Sequence, residues 1–245
     1  MGENEKRKAM VVWGGWDGHQ PELVAKRVER ILKSEDFEVE VYDNLEAFTE
    51  NKNRLAELDL IFPLWTMGTI TGEQREAVSK AVASGVGLAG NHGGICDAFR
   101  LDTEWQFMCG GNWVAHPGND KTPYRVNIKN SSSPITFGIK DFDVASEQYY
   151  LHVDPAVEVL ATTGFPVANG PHILNRHVDM PVVWTKMWGF GRVFYTSLGH
   201  NDDVFDIPEA EELLRRGMLW AAEGKKIALE NGTTDPSGFF VHKFV

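Results

Sequence analysis

Residues 85–95 read Gly-Val-Gly-Leu-Ala-Gly-Asn-His-Gly-Gly-Ile, a short apolar strand that breaks into a glycine-lined turn around His92. A strand can turn this sharply into a helix only if small residues stand two positions before and after the central one, whose side chain is then lifted over the end of a sheet. Gly90 and Gly94 occupy those positions. In an open α/β sheet, that point at the carboxyl end of a strand is where ligands bind. A thiol or hydroxyl there would be an acyl acceptor. An imidazole instead binds metal or moves a proton, unless it is simply buried and hydrogen-bonded.

The chain before this turn supplies the sheet. Residues 9–13 are an apolar run ending in Gly14-Gly15-Trp16-Asp17-Gly18-His19, and Pro21 opens a segment with Leu23, Val24, Val28, Ile31 and Leu32 at helical spacing. Residues 37–42 alternate as a strand, and residues 45–55 suit short helical turns. Residues 58–64 are apolar but for Asp59, as in a central parallel strand buried on both faces. Thr71 is a plausible N-cap for a helix through residue 83, and residues 86–89 form a fourth strand. This alternation predicts four parallel strands wrapped by helices with right-handed crossovers. Gly14, Gly15 and Gly18, with Asp43 after the second strand, invite comparison with a dinucleotide fingerprint. Trp16 and Asp17, however, put bulk and negative charge where a pyrophosphate needs bare N–H groups, so no nucleotide cofactor is expected.

From Asp102 the rhythm changes. Residues 102–108 suit a helix, and residues 113–116, 124–128, 147–151 and 158–162 are strand candidates. Residues 181–186 and 192–197 read as a hairpin whose second strand ends in Leu198-Gly199-His200-Asn201-Asp202-Asp203, before a helix over residues 208–223. The expectation is one α/β domain spanning residues 1–245, in which residues 102–181 add lid and edge elements. At 42% hydrophobic content the chain can fill one core, which stays workable up to roughly 250 residues. A tail from about residue 225 carries Phe239, Phe240, Val241, Phe244 and Val245, each gaining about 1.5 kcal/mol or more on burial. It is expected to dock on its own domain or across the interface of a homo-oligomer.

A formal charge of -11 with no Lys/Arg stripe argues against nucleic acid or an anionic membrane as partner. Cys96 and Cys109 make no disulfide framework, and no stretch approaches the roughly 20 apolar residues of a membrane span. With no apolar signal segment at the N-terminus, a cytoplasmic location is expected. Eight tryptophans, several beside glycines in predicted loops, would suit the apolar faces of sugar rings.

Three histidines follow strands whose ends face one cleft: His19 after the first, His92 after the fourth and His200 after the last long one. His116 and His152 lie in the inserted region, the latter just after Glu147 and Tyr149, which share a face if the segment is extended. His172, His177 and His242 sit in polar loop or tail sequence and read as solvated. Neutral imidazoles are the usual Zn²⁺ ligands, so His19, His92, His152 and His200 are the expected holders of one divalent metal, zinc foremost, with His116 the first substitute. Cys96, one turn past His92, is either a core thiol or a soft ligand. Glu147 is then the candidate general base and Tyr149 the hydrogen-bond donor, with His116 a third catalytic candidate. Trp16, Asp17, Asn91 and Trp113 are the candidates for substrate contact.

Trp16-Asp17-Gly18-His19, Gly90-Asn91-His92-Gly93-Gly94, Gly110-Gly111-Asn112-Trp113 with His116-Pro117, Glu147 with Tyr149, and Gly191-Arg192-Val193-Phe194-Tyr195 with Gly199-His200 occur in this order. Together they resemble the ThuA-like trehalose-utilisation family over roughly residues 9–224. The resemblance implies a flavodoxin-like three-layer α/β/α sandwich, as in class I glutamine amidotransferases, and a role in using trehalose or a related disaccharide or keto-sugar. It departs from the amidotransferases where their chemistry lies. His92 stands in place of their elbow Cys, and His200 is followed by Asn201 and Asp202 rather than Pro and Glu. No glutaminase activity is expected. Two functions are compatible with these motifs: a metal-assisted enzyme, such as a hydrolase or lyase, acting on a sugar derivative, or a non-catalytic carbohydrate-binding or regulatory protein on the same scaffold.

Overall fold

The computed structural model describes residues 6–241. In chain order its first half comprises β1 (Arg7–Gly15), α1 (Pro21–Ser34), β2 (Phe37–Tyr42), α2 (Ala47–Glu50), α3 (Lys52–Leu55), β3 (Leu60–Thr66), α4 (Gly72–Ala83), β4 (Gly87–Asn91), α5 (Gly93–Cys96) and α6 (Thr103–Cys109). There follow β5 (Gly111–Ala115), β6 (Thr122–Ile128), β7 (Phe142–Ser146), β8 (Tyr150–Val153), β9 (Glu158–Phe165), β10 (Val178–Trp188), β11 (Gly191–Thr196) and α7 (Pro208–Glu230).

Side-chain alternation along β1 shows how the layers form. Ala9 and Val11 face one side, where α1 and α7 bury Val24, Val28, Leu32, Leu213, Leu214 and Met218 against the sheet. Met10 and Val12 face the other, where α2, α3, α4 and α6 bring Phe48, Leu55, Val78, Val82 and Trp105. Apolar burial on both faces stabilises the central strands by roughly 25 cal/mol per Å² removed from water. Pro21 starts α1 at a position that needs no N–H donor. Thr71 starts α4 with a capping box: its Oγ1 accepts from the Gln74 N–H at 3.2 Å, and Gln74 Oε1 accepts from the Thr71 N–H at 2.9 Å.

The nine-stranded sheet runs β2-β1-β3-β4-β11-β10-β9-β6-β7. Its first five strands are mutually parallel, so β1, β3, β4 and β11 deliver their carboxyl ends to one edge. The remaining four are antiparallel. β5 and β8 form a separate two-stranded ribbon. The fold is therefore a flavodoxin-like α/β/α sandwich with an elaborated antiparallel edge.

Two segments differ from the sequence expectation. Residues 147–151 are not one strand: β7 ends at Ser146 and β8 begins at Tyr150, so Glu147, Gln148 and Tyr149 bridge the main sheet to the ribbon, with all three side chains buried. The last helix continues seven residues past residue 223, to Glu230. Ala228 packs on Gly85, where an added Cβ would meet the Ala228 Cβ at 2.6 Å, and Lys225 buries its stem while its Nζ donates to the Ala56 carbonyl at 2.6 Å. Beyond it, Phe239 rests edge-on against Phe190 at 5.0 Å, whereas Val241 is exposed. Phe244, Val245 and His242 lie outside the described residues. Among the described residues no helix is long and apolar enough to cross a membrane.

Candidate functional site

His92 sits at φ 45°, ψ −129°, a sparsely populated region for any residue with a side chain. Its backbone is held there from both sides: its N–H donates to the Thr196 carbonyl at 2.7 Å, and its carbonyl accepts from the Tyr195 hydroxyl at 2.9 Å. Gly94 is required by close approach, since a Cβ there would lie 3.0 Å from the Leu64 Cα and the Pro63 carbonyl oxygen. The other ring-bearing segments reach the same edge of the sheet. His19 ends a 3-10 turn (Asp17–His19) after β1, with Nδ1 2.8 Å from Thr66 Oγ1 at the end of β3. His200 follows β11 through Gly199, whose φ of +96° favours glycine. The segment after it is clamped by Arg27, which donates to both Asp202 oxygens (2.6 and 2.8 Å) and to Asp206 and Glu211.

Glu147 completes the cluster. Its Oε2 lies 3.1 Å from His92 Nε2, 3.2 Å from His200 Nδ1 and 3.8 Å from His19 Nε2. All four residues are buried, and their donor atoms lie within 4.8 Å of one another. His92 Nδ1 is 2.8 Å from the Ser197 carbonyl, which can only accept, so in the neutral ring Nδ1 holds the proton and Nε2 turns a lone pair toward the carboxylate. Two acceptors 3.1 Å apart in a buried place call for a cation. A proton on His92 does not meet that demand near neutral pH, because burial drives its pKa down to about 3 despite the pull of Glu147. Burial alone would raise the Glu147 pKa, but the imidazoles of His19, His200 and His92 around the carboxyl hold it far below the usual carboxylate range. Three imidazole nitrogens and one carboxylate oxygen match the donor chemistry of a zinc site. His200 Nδ1 is moreover buried without a hydrogen bond, as a ligand atom waiting for an ion would be. A void of about 10 Å³ lies beside His19 and His92, walled also by Pro21, Val24, Leu64 and Thr66.

A second layer of aromatic groups faces the cluster. The Tyr149 ring stacks on His92 at 3.9 Å, and its buried hydroxyl has no partner. Burial pushes its pKa well up, so it stays a donor. His116 Nδ1 lies 3.6 Å from Glu147 Oε1, with the side chain 32% exposed. Its ring neighbours Trp113 at 5.5 Å, and Arg100 covers the Trp113 face at 4.1 Å while pairing with buried Asp97. Trp16, 46% exposed, meets His19 edge-on at 4.8 Å.

The structure does not bring His152 into the cluster. On β8 it pairs with Asn112, and strand alternation turns Leu151 inward and His152 to solvent. The fourth donor is Glu147, which the sequence placed as a base instead. Asp17 is exposed and gives only a backbone carbonyl to the Gln20 N–H at 2.9 Å. Asn91 is buried and uses its amide on the Leu198 and Gly199 carbonyls (3.4 and 3.3 Å), which braces the His200 loop. Cys96 is a core thiol whose pKa burial raises well up. His172, read as solvated, packs its ring on Phe165 at 5.5 Å. Thr66, which orients His19, carried no sequence signal beyond its place after an apolar run.

The sequence matches the family model for trehalose utilisation, ThuA, over residues 8–221. A ThuA-like protein from Bacteroides uniformis superposes with a TM-score of 0.71 at 20% identity, covering 90% of this chain and 94% of that one. One from Parabacteroides merdae gives 0.70 at 18% identity, with 90% and 91% covered. A glutamine amidotransferase from Thermotoga maritima gives 0.50 at 10% identity, with 98% and 100% covered. At these identities the likeness is one of fold. No curated protein matches in sequence.

Proposed function

The chain belongs to the ThuA trehalose-utilisation family, and on that premise we propose that it is a metal-assisted enzyme acting on a disaccharide or keto-sugar, with one divalent ion, zinc foremost, held by His19, His92, His200 and Glu147. The observation that carries this reading is the 3.1 Å approach of an unprotonated His92 Nε2 to the Glu147 carboxylate. A divalent ion there would polarise a substrate oxygen or lower the pKa of a water. The chain's own groups do the rest. Thr66 and the Ser197 carbonyl fix the His19 and His92 rings, as the supporting hydrogen bonds of metal ligands do. The unpartnered Tyr149 hydroxyl donates a hydrogen bond to substrate.

His116 is the proton-transfer group in this scheme. It is the imidazole at the rim, its Nδ1 has no hydrogen-bond partner, and solvent reaches its side chain. Glu147, once it is a ligand of the ion, leaves the general-base role to this imidazole. Trp16 and Trp113 supply apolar faces for a sugar.

Turnover of trehalose and its 3-keto form should vanish on chelation, return with zinc, and fall in His116→Gln with zinc content unchanged. Activity indifferent to chelation would refute the reading. The tightness of the cluster favours a second reading, a carbohydrate-binding protein without catalysis; retained sugar binding with no product from any metal form would select it.

A further inference from the structure

The ribbon of β5 and β8 has a second face. Tyr149 stacks its ring on His92, whereas Tyr150, next in the chain, lies on the side away from the cluster, as successive residues of an extended chain do. On that side a cavity of about 630 Å³ opens between the ribbon and the segment from Phe165 to Val178. That is the size range of small-molecule sites, about 300–1,000 Å³. No residue of the His/Glu cluster lines it, and neither does His116 or Tyr149. It is a separate place, and its chemistry has to be read from its own walls.

Rings make up most of the wall. Tyr150 meets Phe165 at 5.0 Å, Phe165 meets the His172 ring at 5.5 Å with the planes 30° apart, and Pro117 and Pro166 continue the surface. Such a wall favours a flat aromatic guest. The His172 ring is fixed between Phe165 and Gly170, where an added Cβ would lie 2.7 Å from its Cε1 and 2.8 Å from its Nδ1. Its Nε2 is nevertheless buried without a hydrogen bond, a cost that a ligand atom bonded to it would remove. Asn175 and Arg176 complete the lining, and among the described residues neither side chain has a protein partner. The chain carries 35 Asp and Glu, yet none lines this cavity. Its one permanent charge is the Arg176 guanidinium.

We propose that this cavity binds a small aromatic carboxylate, its ring against Phe165, Tyr150 and the two prolines and its carboxylate at Arg176. In the tautomer that carries its proton on Nε2, His172 donates to a carboxylate oxygen, as does the Asn175 amide. A guanidinium presents paired N–H groups that match a carboxylate, and a lining without acids spares the ligand the repulsion that a chain of net charge -11 would otherwise offer an anion. The site goes beyond the metal reading and stands without it.

The test is calorimetric titration with 2-naphthoate and with its uncharged counterpart 2-naphthalenemethanol, on chelator-treated and on zinc-loaded protein, repeated on Arg176→Gln and on Val114→Trp. Arg176 is exposed and Val114 is a half-exposed wall residue, so both changes act at the mouth of the cavity without entering the core. The parent protein should bind 2-naphthoate about tenfold or more tighter than the alcohol, the share of a charge-assisted hydrogen bond at a partly exposed site. Arg176→Gln should erase that advantage, Val114→Trp should weaken both probes, and zinc should alter neither affinity. Failure of the parent to bind 2-naphthoate, equal affinities for the two probes, or a parental 2-naphthoate affinity in either variant would each overturn the site. So would 2-naphthoate binding that chelator abolishes, since the carboxylate would then sit on the ion at the His/Glu cluster.

Discussion

Gly93→Ala perturbs the cluster without changing any polar group. Gly93 follows His92 as the first residue of α5, and a Cβ added there would lie 2.6 Å from Thr66 Oγ1 and 2.7 Å from both Cε1 and Nδ1 of His19. Ordinary contact begins near 3.4 Å, so the His19 ring or the Thr66 hydroxyl must give way by about 0.7 Å, which breaks their 2.8 Å hydrogen bond. Alanine gains about 1 kcal/mol over glycine in helix propensity. Against this stand overpacking at about 1–3 kcal/mol and the buried hydrogen bond at about 1 kcal/mol. The net loss is about 1–3 kcal/mol, or about 2–4 °C of Tm per kcal/mol for a domain of this size. Because the displaced hydrogen bond orients a ligand, zinc affinity should fall about 10–100-fold. Urea unfolding in chelator and zinc competition against a chromophoric chelator measure the two effects. A destabilised variant with parental zinc affinity would show that His19 is not a ligand, and a variant unchanged in both would refute the packing itself.

Metal-free protein should lose stability as pH falls from about 6.5. His92 folds neutral with a pKa near 3 and unfolds to an imidazole of about 6.5, so the unfolded state takes up the proton first. The slope from this one group is on the order of 1.4 kcal/mol per pH unit, and Glu147 adds in the same direction below its unfolded value of about 4.5. His92→Gln should flatten urea midpoints between pH 6.5 and 4.5, and an unaltered profile would contradict the buried neutral ring. Cys96 and Cys109 are buried, with pKa values raised by burial. Iodoacetamide at pH 8 should therefore label neither until denaturant is added; labelling of the native protein would place a thiol nearer solvent.

Much of the architecture is legible in the sequence because it follows from periodicity. The apolar runs of residues 9–13 and 60–64, the alternation of residues 37–42 and the Thr71 cap each specify their element locally, and the glycines around His92 specify the elbow. Three of the four cluster residues follow because topology brings the ends of parallel strands together. Glu147 and His152 show where this reasoning stops. Which of them enters the site depends on where the chain passes from the main sheet to the ribbon, and that break after Ser146 leaves no local mark in a segment of strand-like composition. The burial of Lys225 and the role of His172 are likewise tertiary. A lysine near a chain end and a histidine in a polar loop look solvated until Gly85 and Phe165 are seen beside them.

The central claim is that His19, His92, His200 and Glu147 hold one divalent ion. Zinc per chain, measured by plasma mass spectrometry after loading and gel filtration, tests it most directly when the parent is compared with His92→Ala, His200→Ala and His152→Ala. The account predicts one equivalent in the parent and in His152→Ala, and loss of most of it in the other two while their circular dichroism stays native. Full occupancy in His92→Ala and His200→Ala, or loss of zinc in His152→Ala, would contradict it.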